Sequence, residues 1–360
     1  EMLVGWLGQK KVLRDRVAGT MHVLMFWGFL MLGSDMLDLA SANYFSENLL
    51  PSIFKNPWNG IVELGYTTAL IGATAALIRR VAFTPDKLKG KSQLEGNFIL
   101  VLILTITSTS FIIESPENPS STWEPIGFFV SDSLDLSSSV IVASYWAHMF
   151  AICCFLVLIP VSKHMHLVMA IPNVFFHDTN AMGTMRPLAV DENGKAIPLE
   201  DLDIDSFGVS TFDQYTWRQI IDGWSCTSCA RCQDVCPAYE SGKGLNPMQV
   251  IHDVRNYANE HAPILLKGEN PEETMLARIT SEAVWACTTC NACVDICPLY
   301  IEHVPKLTDL RRNAMMETME YPEELNVAMG NLESASNPYG FGPHERADWA
   351  SDLDVKVGLP

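Results

Sequence analysis

Eight of the ten cysteines in this 360-residue chain form two copies of one spacing, C-x2-C-x2-C-x3-C-P. Three thiolates on a tight loop, followed by a fourth that is directed elsewhere, are typical of ligands for a [4Fe-4S] cubane; in two-cluster proteins the fourth cysteine ligates the other cube. Zinc sites also use C-x2-C pairs, but they need neither four cysteines nor a following proline in both copies. The predicted ligand sets are Cys226, Cys229, Cys232 and Cys297 for one cluster, and Cys287, Cys290, Cys293 and Cys236 for the other.

Histidines in an apolar part of the chain form a second candidate centre. His22 and His166 are predicted at the same depth on neighbouring membrane helices, where polar groups are costly and usually functional. Two neutral imidazoles in such positions can be the axial ligands of a haem b. His164 is the alternative ligand to His166.

His148 precedes His166 by five whole turns of a continuous helix, which would place both histidines on one helix face. Two interpretations of His148 stay open. It could ligate a second, distal haem, for which the sequence names no partner, or it could hydrogen-bond a quinone carbonyl. The sequence thus predicts one haem b and leaves a second one open.

The elements that must carry these histidines are four apolar segments. Each approaches the ~20 residues that a membrane-spanning helix needs. They are expected at about 17–39, 60–80, 97–114 and 139–168. Four such segments leave no polar face for a soluble helical protein.

Lysine and arginine in the connecting loops predict the orientation of these helices. Four basic residues precede the first helix and five lie between the second and third, whereas the opposite loops carry only Lys55. Under the positive-inside rule, the N-terminus, the middle loop and the chain after Lys163 are cytoplasmic. We therefore expect a multi-pass protein of the cell inner membrane with its cysteine motifs on the cytoplasmic side.

The second half of the chain is strongly acidic. Residues 1–173 carry a net charge of about −2 and residues 174–360 about −16. This balance argues against nucleic-acid binding, which needs a basic surface.

Helix signals fill the interval between the two cysteine motifs. Asn246 and Asn270, each followed by proline, are predicted to begin two helices. The segment from Ile301 to Leu325 is predicted as one further helix, and the asparagine–glycine pair at 193–194 as the turn of a short hairpin. No motif assigns a catalytic residue.

Together these patterns predict an all-α protein. A four-helix transmembrane haem b bundle (1–173) would be followed by a linker (174–212). An α-helical two-cluster ferredoxin domain (213–325) would come next, and a tail or linker to a missing domain or subunit (326–360) would end the chain. Asp35, Asp38 and Glu63, at the edge of the bundle, could relay protons on the far side of the membrane.

The two halves resemble known families. The histidine pattern is similar to that of the membrane γ subunit of respiratory nitrate reductase, although Leu32 stands where that pattern has a fourth histidine. The cysteine motifs resemble the iron–sulfur subunits of heterodisulfide reductase and anaerobic glycerol-3-phosphate dehydrogenase. Their fusion resembles the membrane-bound iron–sulfur electron-transfer-flavoprotein:menaquinone oxidoreductases and heterodisulfide-reductase-like proteins, which continue into cysteine-rich CCG domains.

The resemblance implies a quinone oxidoreductase that works within a complex. Electrons would pass between a cytoplasmic electron-transfer flavoprotein and menaquinone by way of two [4Fe-4S] clusters and haem b. One alternative is a quinol-oxidising subunit of a heterodisulfide-reductase-like complex, with a CCG-domain partner. Another is a non-catalytic membrane anchor of a dehydrogenase. The direction of electron flow depends on potentials that ligands alone do not fix.

Overall fold

The part of the chain that the structure describes consists of helices joined by turns and loops. A computed structural model describes residues 2–45, 52–83, 91–114, 122–189, 195–202 and 207–353, and within these ranges it contains no β-strand. The chain forms two compact units. Unit 1 comprises Glu1–Thr179, Trp217–Val235 and Ala292–Glu302, and unit 2 comprises Asn180–Thr216, Cys236–Asn291 and His303–Pro360.

Four helices of unit 1 are long and apolar enough to cross a membrane. In chain order, the helices of the first part of unit 1 are α1 (Arg16–Phe45), α2 (Ser52–Ala82), α3 (Lys91–Glu114), α4 (Pro125–Ser133), α5 (Ser138–Val161) and α6 (His166–Phe175). The four long ones are α1, α2, α3 and α5. They correspond to the four apolar segments of the sequence, and several are longer because polar end residues also join the helix.

Small residues let α1 and α2 pack closely. A Cβ atom at Gly28 would lie 2.7 Å from the Cβ of Ala69, and one at Gly65 would lie 2.7 Å from the Cβ of Met31. Larger side chains would force the helices apart, and close backbone approach is the usual basis of helix association in lipid. Ile99 of α3 packs instead against Phe155 of α5 in an apolar core.

The last membrane helix is shorter than its sequence suggests. Helix α5 ends at Val161, so the helix expected to reach residue 168 is broken, and the assumption of five continuous turns between His148 and His166 is wrong. Pro160 lacks the N–H that would continue the hydrogen-bond ladder. Ser162 is extended and accepts the backbone N–H of His164 at 3.1 Å, which caps a new turn that leads into α6.

Three short helices complete unit 1. They are α7 (Trp217–Ser225), α8 (Arg231–Asp234) and, much later in the chain, α14 (Ala292–Ile296). Unit 1 therefore contains the membrane helices together with parts of both cysteine motifs. The predicted division at residue 173 is not the division that the contacts produce.

Unit 2 contains the other helices. They are α9 (Pro237–Glu240), α10 (Pro247–Glu260), α11 (Ala262–Leu265), α12 (Met275–Ile279), α13 (Ser281–Ala286), α15 (His303–Asn313) and α16 (Glu324–Ala335). Ile251, Val254 and Tyr257 of α10 are completely buried. As predicted, Asn246 caps α10, where its side chain accepts the N–H groups of Met248 and Gln249.

Two other helix predictions for this half are corrected. Asn270 does not begin a helix; α12 begins at Met275, where the hydroxyl of Thr274 accepts the N–H of Ala277 at 3.1 Å. The helix expected from Ile301 to Leu325 is interrupted: α15 ends at Asn313, a π-helical turn continues it over Ala314–Thr318, and α16 begins only at Glu324. The turn expected at 193–194 lies outside the described residues.

Candidate redox centres

The structure brings together the four cysteines predicted for the first cluster. Cys226 and Cys229 lie in the loop between α7 and α8, Cys232 lies on α8, and Cys297 directly follows α14. Cys232 interacts electrostatically with each of the other three, and Cys297 does so with Cys226 and Cys229. The fourth cysteine of the second motif therefore lies beside the first three of the first motif, as the crossed ligand pattern requires.

Three cysteines of the second set lie in unit 2. Cys287 is within electrostatic range of Cys236 and Cys290, so the fourth cysteine of the first motif lies beside the second motif. Cys293 belongs to unit 1. The complete second set, Cys287, Cys290, Cys293 and Cys236, stays a prediction.

Burial makes these thiols poor acids unless metal compensates their charge. Burial, reinforced by the neighbouring cysteines, raises the pKa of Cys297 to about 12 and raises the pKa of Cys232 strongly. Backbone N–H groups of Ile301 and Leu299 donate to the Cys297 sulfur and oppose this shift. Four thiolates at this site therefore need iron as their counter-charge, and iron binding must release their protons.

Left-handed backbone conformations shape both cysteine loops. The residues on either side of the second cysteine have positive φ in each motif: Ser228 (56°) and Ala230 (61°) in the first, Thr289 (54°) and Asn291 (60°) in the second. For a non-glycine residue this conformation costs about 1–2 kcal/mol. Successive turns of this kind direct backbone N–H groups into one concavity that favours anions. Sequence reasoning missed these positions because only Asn291 has a residue type typical of that conformation.

The described cysteines do not form a site for a single ion. Among the described residues, no three histidine, cysteine, aspartate or glutamate side chains surround one metal position. A cubane places a different demand on its ligands, because each iron takes only one cysteine. The eight thiolate donors fit that requirement in type and spacing.

The loop of the second motif is more accessible than that of the first. Thr288, Thr289 and Cys290 are exposed, whereas Cys226 and Cys232 are buried. The second cysteine loop is therefore the more solvent-exposed of the two. Arg311 stabilises the second loop, because its guanidinium donates to the carbonyls of Val284 and Cys287.

The indole of Trp285 supports the same loop. The guanidinium carbon of Arg311 lies 5.2 Å from the centroid of the Trp285 ring. The indole Nε1 of Trp285 donates to the carbonyl of Glu320 at 3.3 Å. Trp285 is therefore part of the support of the second cysteine loop.

His22 and His166 lie within electrostatic range of each other in unit 1. The two imidazoles interact electrostatically, and His22 Nδ1 is buried with no hydrogen-bond partner among the described residues. His166 Nδ1 donates to the carbonyl of Lys163 at 2.7 Å, which fixes its tautomer and leaves Nε2 without a proton. This donor set fits two axial ligands of a haem.

His164 and His148 have other surroundings. The His164 ring lies 5.8 Å from that of His166, and its Nδ1 is 3.3 Å from the Ser162 hydroxyl. His148 Nδ1 lies 2.9 Å from the Thr109 hydroxyl and 3.2 Å from the carbonyl of Ile106. Both contacts suit an N–H donor, so His148 also keeps Nε2 as an acceptor.

Leu32, the position where a fourth histidine would stand, is an apolar packing residue. It packs against the cluster of Val62, Tyr66 and Phe111. Helix α1 therefore carries a hydrocarbon side chain at the position where the nitrate-reductase γ pattern has its fourth histidine.

Glu63, predicted as a proton-relay residue, caps a helix. Its two carboxylate oxygens accept the N–H groups of Ile126 and Gly127, at 2.9 and 2.8 Å, at the start of α4. A carboxylate at a helix N-terminus is stabilised by the helix dipole. The side chains of Asp35 and Asp38 lie outside the described residues.

Comparison with known proteins identifies the cysteine-rich part. Residues 218–298, which contain all eight motif cysteines, match the 4Fe-4S dicluster domain family. The chain therefore carries an iron–sulfur dicluster domain. No solved structure matches the chain.

Curated relatives match a much longer part. The chain is 30% identical to EtfAB:quinone oxidoreductase of Syntrophomonas wolfei, over 97% of this chain and 53% of the relative. It is 28% identical to the probable iron-sulfur-binding oxidoreductase FadF of Bacillus subtilis, over 97% of this chain and 54% of the relative. The chain thus spans about half the length of these two relatives. A probable membrane-anchored ferredoxin of Chromohalobacter salexigens is 36% identical, over 45% of this chain and 27% of the relative.

These matches agree with the four apolar helices. The chain is a membrane-associated iron–sulfur protein whose similarity to oxidoreductases extends through both units.

Proposed function

We propose that this chain is a member of the EtfAB:quinone oxidoreductase group and passes electrons between a soluble electron-transfer flavoprotein and menaquinone in the membrane. The observation that carries the proposal is the composition of unit 1. A complete four-cysteine set and the pair His22 and His166 lie in one compact unit with the membrane helices. Donors for a cluster and for a haem b therefore stand within one structural framework.

The residues divide between three cofactors. The first [4Fe-4S] cluster would be held by Cys226, Cys229, Cys232 and Cys297, the second by Cys287, Cys290, Cys293 and Cys236, and haem b by His22 and His166. When bound, these groups would supply one-electron steps that connect a two-electron flavin with a quinone.

The tautomer of His166 supports its assignment over His164. His166 Nδ1–H donates to the backbone carbonyl of Lys163 at 2.7 Å. The unprotonated Nε2 therefore points away from that contact. His22 interacts with His166 and Arg231. His164 stays the alternative ligand, with a longer 3.3 Å contact at its own Nδ1.

His148 is proposed to bind quinone rather than a second haem. Its Nδ1 is committed to helix α3, while Leu32 fills the position of an opposing ligand with an apolar side chain. In the other tautomer the proton would be on Nε2, which could donate to a quinone carbonyl. That tautomer would lose the hydrogen bond from Nδ1 to the Ile106 carbonyl. An unprotonated Nε2 can instead accept a proton from a quinol hydroxyl.

The soluble partner is proposed to approach the second motif. Its loop exposes Thr288, Thr289 and Cys290, and the acidic half of the chain offers charge complementarity to a basic partner. By the positive-inside rule this face is cytoplasmic in a cell inner membrane.

The experiment that tests the proposal combines cofactor analysis with reduction by quinol. The detergent-purified chain is expected to contain one haem b and the iron of two cubanes, and a reduced menaquinol analogue is expected to reduce the haem. Two haems per chain would contradict the role of His148 as a quinone-site residue. Absence of both iron and haem would contradict the proposal as a whole.

A further inference from the structure

We propose that Asn173 of helix α6 is a positioning residue that fixes the first cysteine set relative to His166. The inference rests on the proposed cluster ligands of the first set, but not on the quinone or the soluble partner. It concerns a buried polar network in unit 1 that no sequence motif indicates. The network lies between α6, α7 and the segment that follows Cys297.

All polar atoms of the Asn173 side chain are used. The residue is completely buried. Its Nδ2 donates to the backbone carbonyl of Leu299 at 2.8 Å and to Asp222 Oδ1 at 3.1 Å. Its Oδ1 accepts Arg218 Nη1 at 2.5 Å. An amide with two donors and one acceptor is the group that satisfies all three partners.

The contact with Leu299 leads directly to a cluster ligand. Leu299 is two residues beyond Cys297, and the backbone N–H groups of Leu299 and Ile301 donate to the Cys297 sulfur. Asn173 thus holds the carbonyl of a residue whose N–H is aimed at that sulfur. Hydrogen bonds to cluster sulfurs are among the features that set a cluster's reduction potential.

A second contact ties the same helix to the other side of the cysteine set. Ser225, also completely buried, directly precedes Cys226. Its hydroxyl lies 3.2 Å from the carbonyl of Met169 on α6 and 3.0 Å from that of Ile221 on α7, so the two carbonyls share its one proton. Two of the four ligands, one from each motif, are therefore flanked by residues that hydrogen-bond to α6.

An ion-pair network makes the α6 contact rigid. Arg218 Nη1 lies 2.7 Å from Asp222 Oδ1, and Arg218 Nη2 donates to the carbonyl of Tyr300 at 3.0 Å. Asp222 Oδ2 accepts the N–H of Glu302 at 3.2 Å. Removing one partner of a buried pair is strongly destabilising. Arg218 and Asp222 are therefore part of the support, and the informative substitutions are at the neutral residues Asn173 and Ser225.

The position of His166 gives this support its consequence. His166 is the first residue of α6, and Asn173 lies seven residues further along the same helix, which is about two turns or roughly 10 Å. The continuous helical backbone between the two residues keeps this separation constant. Rotation or sliding of α6 would move His166 together with Asn173 and Met169, the two α6 residues that contact the segments of Cys297 and Cys226.

The test uses the full chain in detergent with both clusters loaded. Asn173→Ala removes the donor to Leu299, Ser225→Ala removes the milder contact to Met169, and Asn331→Ala on α16 of unit 2 is the matched control. Electron paramagnetic resonance and redox titration would follow each reduced cluster, with the first cluster's signal identified as the one that Cys226→Ser removes. Iron content and far-ultraviolet circular dichroism would accompany each variant.

Asn173→Ala is expected to change the line shape of the first cluster's signal and to shift its reduction equilibrium at least tenfold, or 59 mV for a one-electron couple. The other cluster and the Asn331→Ala control are expected to keep wild-type signals. Ser225→Ala is expected to give a smaller change in the same signal.

Wild-type signals in both Asn173→Ala and Ser225→Ala would overturn the inference. If Asn173→Ala does not fold, Ser225→Ala decides: an unchanged first-cluster signal overturns the inference, and a changed one supports it. Equal shifts of both clusters would also overturn it, because they indicate a general loosening. Failed haem reduction by quinol, together with normal cluster behaviour, would count against the proposed function alone.

Discussion

The guanidinium of Arg231 donates to the backbone carbonyl oxygen of Val12 at 3.1 Å, although 219 residues separate the two in sequence. A second bond of the same group reaches the carbonyl of Lys11 at 3.0 Å. Arg231 lies in the first cysteine motif, and Val12 lies in the segment that leads into the first membrane helix. This fork thus joins the first cysteine loop to the helix that carries His22.

Arg231→Ala is expected to destabilise unit 1 by about 2 kcal/mol, because hydrogen bonds from a charged donor contribute about 1.5–3 kcal/mol. It should also lower the midpoint potential of the haem, since a positive charge that interacts with His22 is lost. Thermal unfolding and a haem redox titration measure the two effects. Arg14→Ala is the control: its half-exposed pair with Asp295 should contribute at most about 1 kcal/mol. Equal effects of the two substitutions would contradict a special role for Arg231.

Cys297→Ser is expected to alter the same cluster signal as Cys226→Ser, although the two cysteines belong to different motifs. The reason is that Cys297 lies beside the first three cysteines of the first motif. Electron paramagnetic resonance of the reduced protein distinguishes the two clusters. Cys153→Ser, at an exposed membrane-helix position, should leave both signals unchanged. If Cys297→Ser instead altered the signal that Cys287→Ser alters, the crossed ligand pattern would be wrong.

His22→Ala and His166→Ala are each expected to abolish the low-spin haem spectrum, whereas His164→Ala should retain it. The structure supports this order, because His166 has the shorter contact that fixes its tautomer. Pyridine-hemochrome assays on the purified variants give the haem content. His148→Ala should keep a full haem and lose reduction by quinol. Retention of haem in His166→Ala together with its loss in His164→Ala would exchange the two assignments.

Thr289→Gly is expected to stabilise the second loop by up to about 1 kcal/mol. Glycine adopts positive φ without the penalty of a side chain, although its greater freedom in the unfolded chain offsets part of the gain. The matched control is the adjacent exposed Thr288→Gly, which gains nothing and should destabilise the protein slightly. Thermal melts of the cluster-loaded variants should therefore move in opposite directions. Lower stability of both variants would show that no strain is relieved at Thr289.

The cluster-free protein is expected to lose stability as the pH rises from about 8.5 toward 12. Burial raises the pKa of Cys297 to about 12, so the folded state keeps its proton in a range where the unfolded thiol has lost it. This stabilisation is fully present below the unfolded pKa and disappears as the folded thiol ionises. Melts of the cluster-free protein at pH 7 and pH 9.5 measure the effect. The Cys297→Ser variant lacks this thiol, so its stability should decrease less between pH 7 and pH 9.5. An equal decrease in the variant would show that Cys297 is not the cause.

Much of the architecture could be predicted from local patterns. Four apolar runs predicted four long helices because a helix satisfies its backbone groups internally even in lipid. Asn246 followed by Pro247 predicted the start of α10 because the cap uses atoms only two or three residues away. The cysteine spacing predicted an iron–sulfur dicluster domain, which the match to residues 218–298 confirms.

Other local signals were present but were given too little weight. Pro160 and Ser162 form a helix stop and a new cap within three residues, yet the strongly apolar surroundings suggested one continuous helix to residue 168. The break between α15 and α16 has another local cause: the helical run ends at Met319, which has a left-handed backbone (φ 56°), three residues before Pro322.

The sequence alone determined which atoms can ligate iron, because donor type and spacing are properties of a short segment. Only the tertiary structure decided how residues far apart in sequence combine: Asn173 with Leu299, Arg231 with Val12, and Cys297 with Cys232. It also decided that unit 1 includes segments from three parts of the chain. Such contacts depend on burial, and a buried polar group such as Asn173 finds its partners wherever the folded chain brings complementary atoms, irrespective of their distance in sequence.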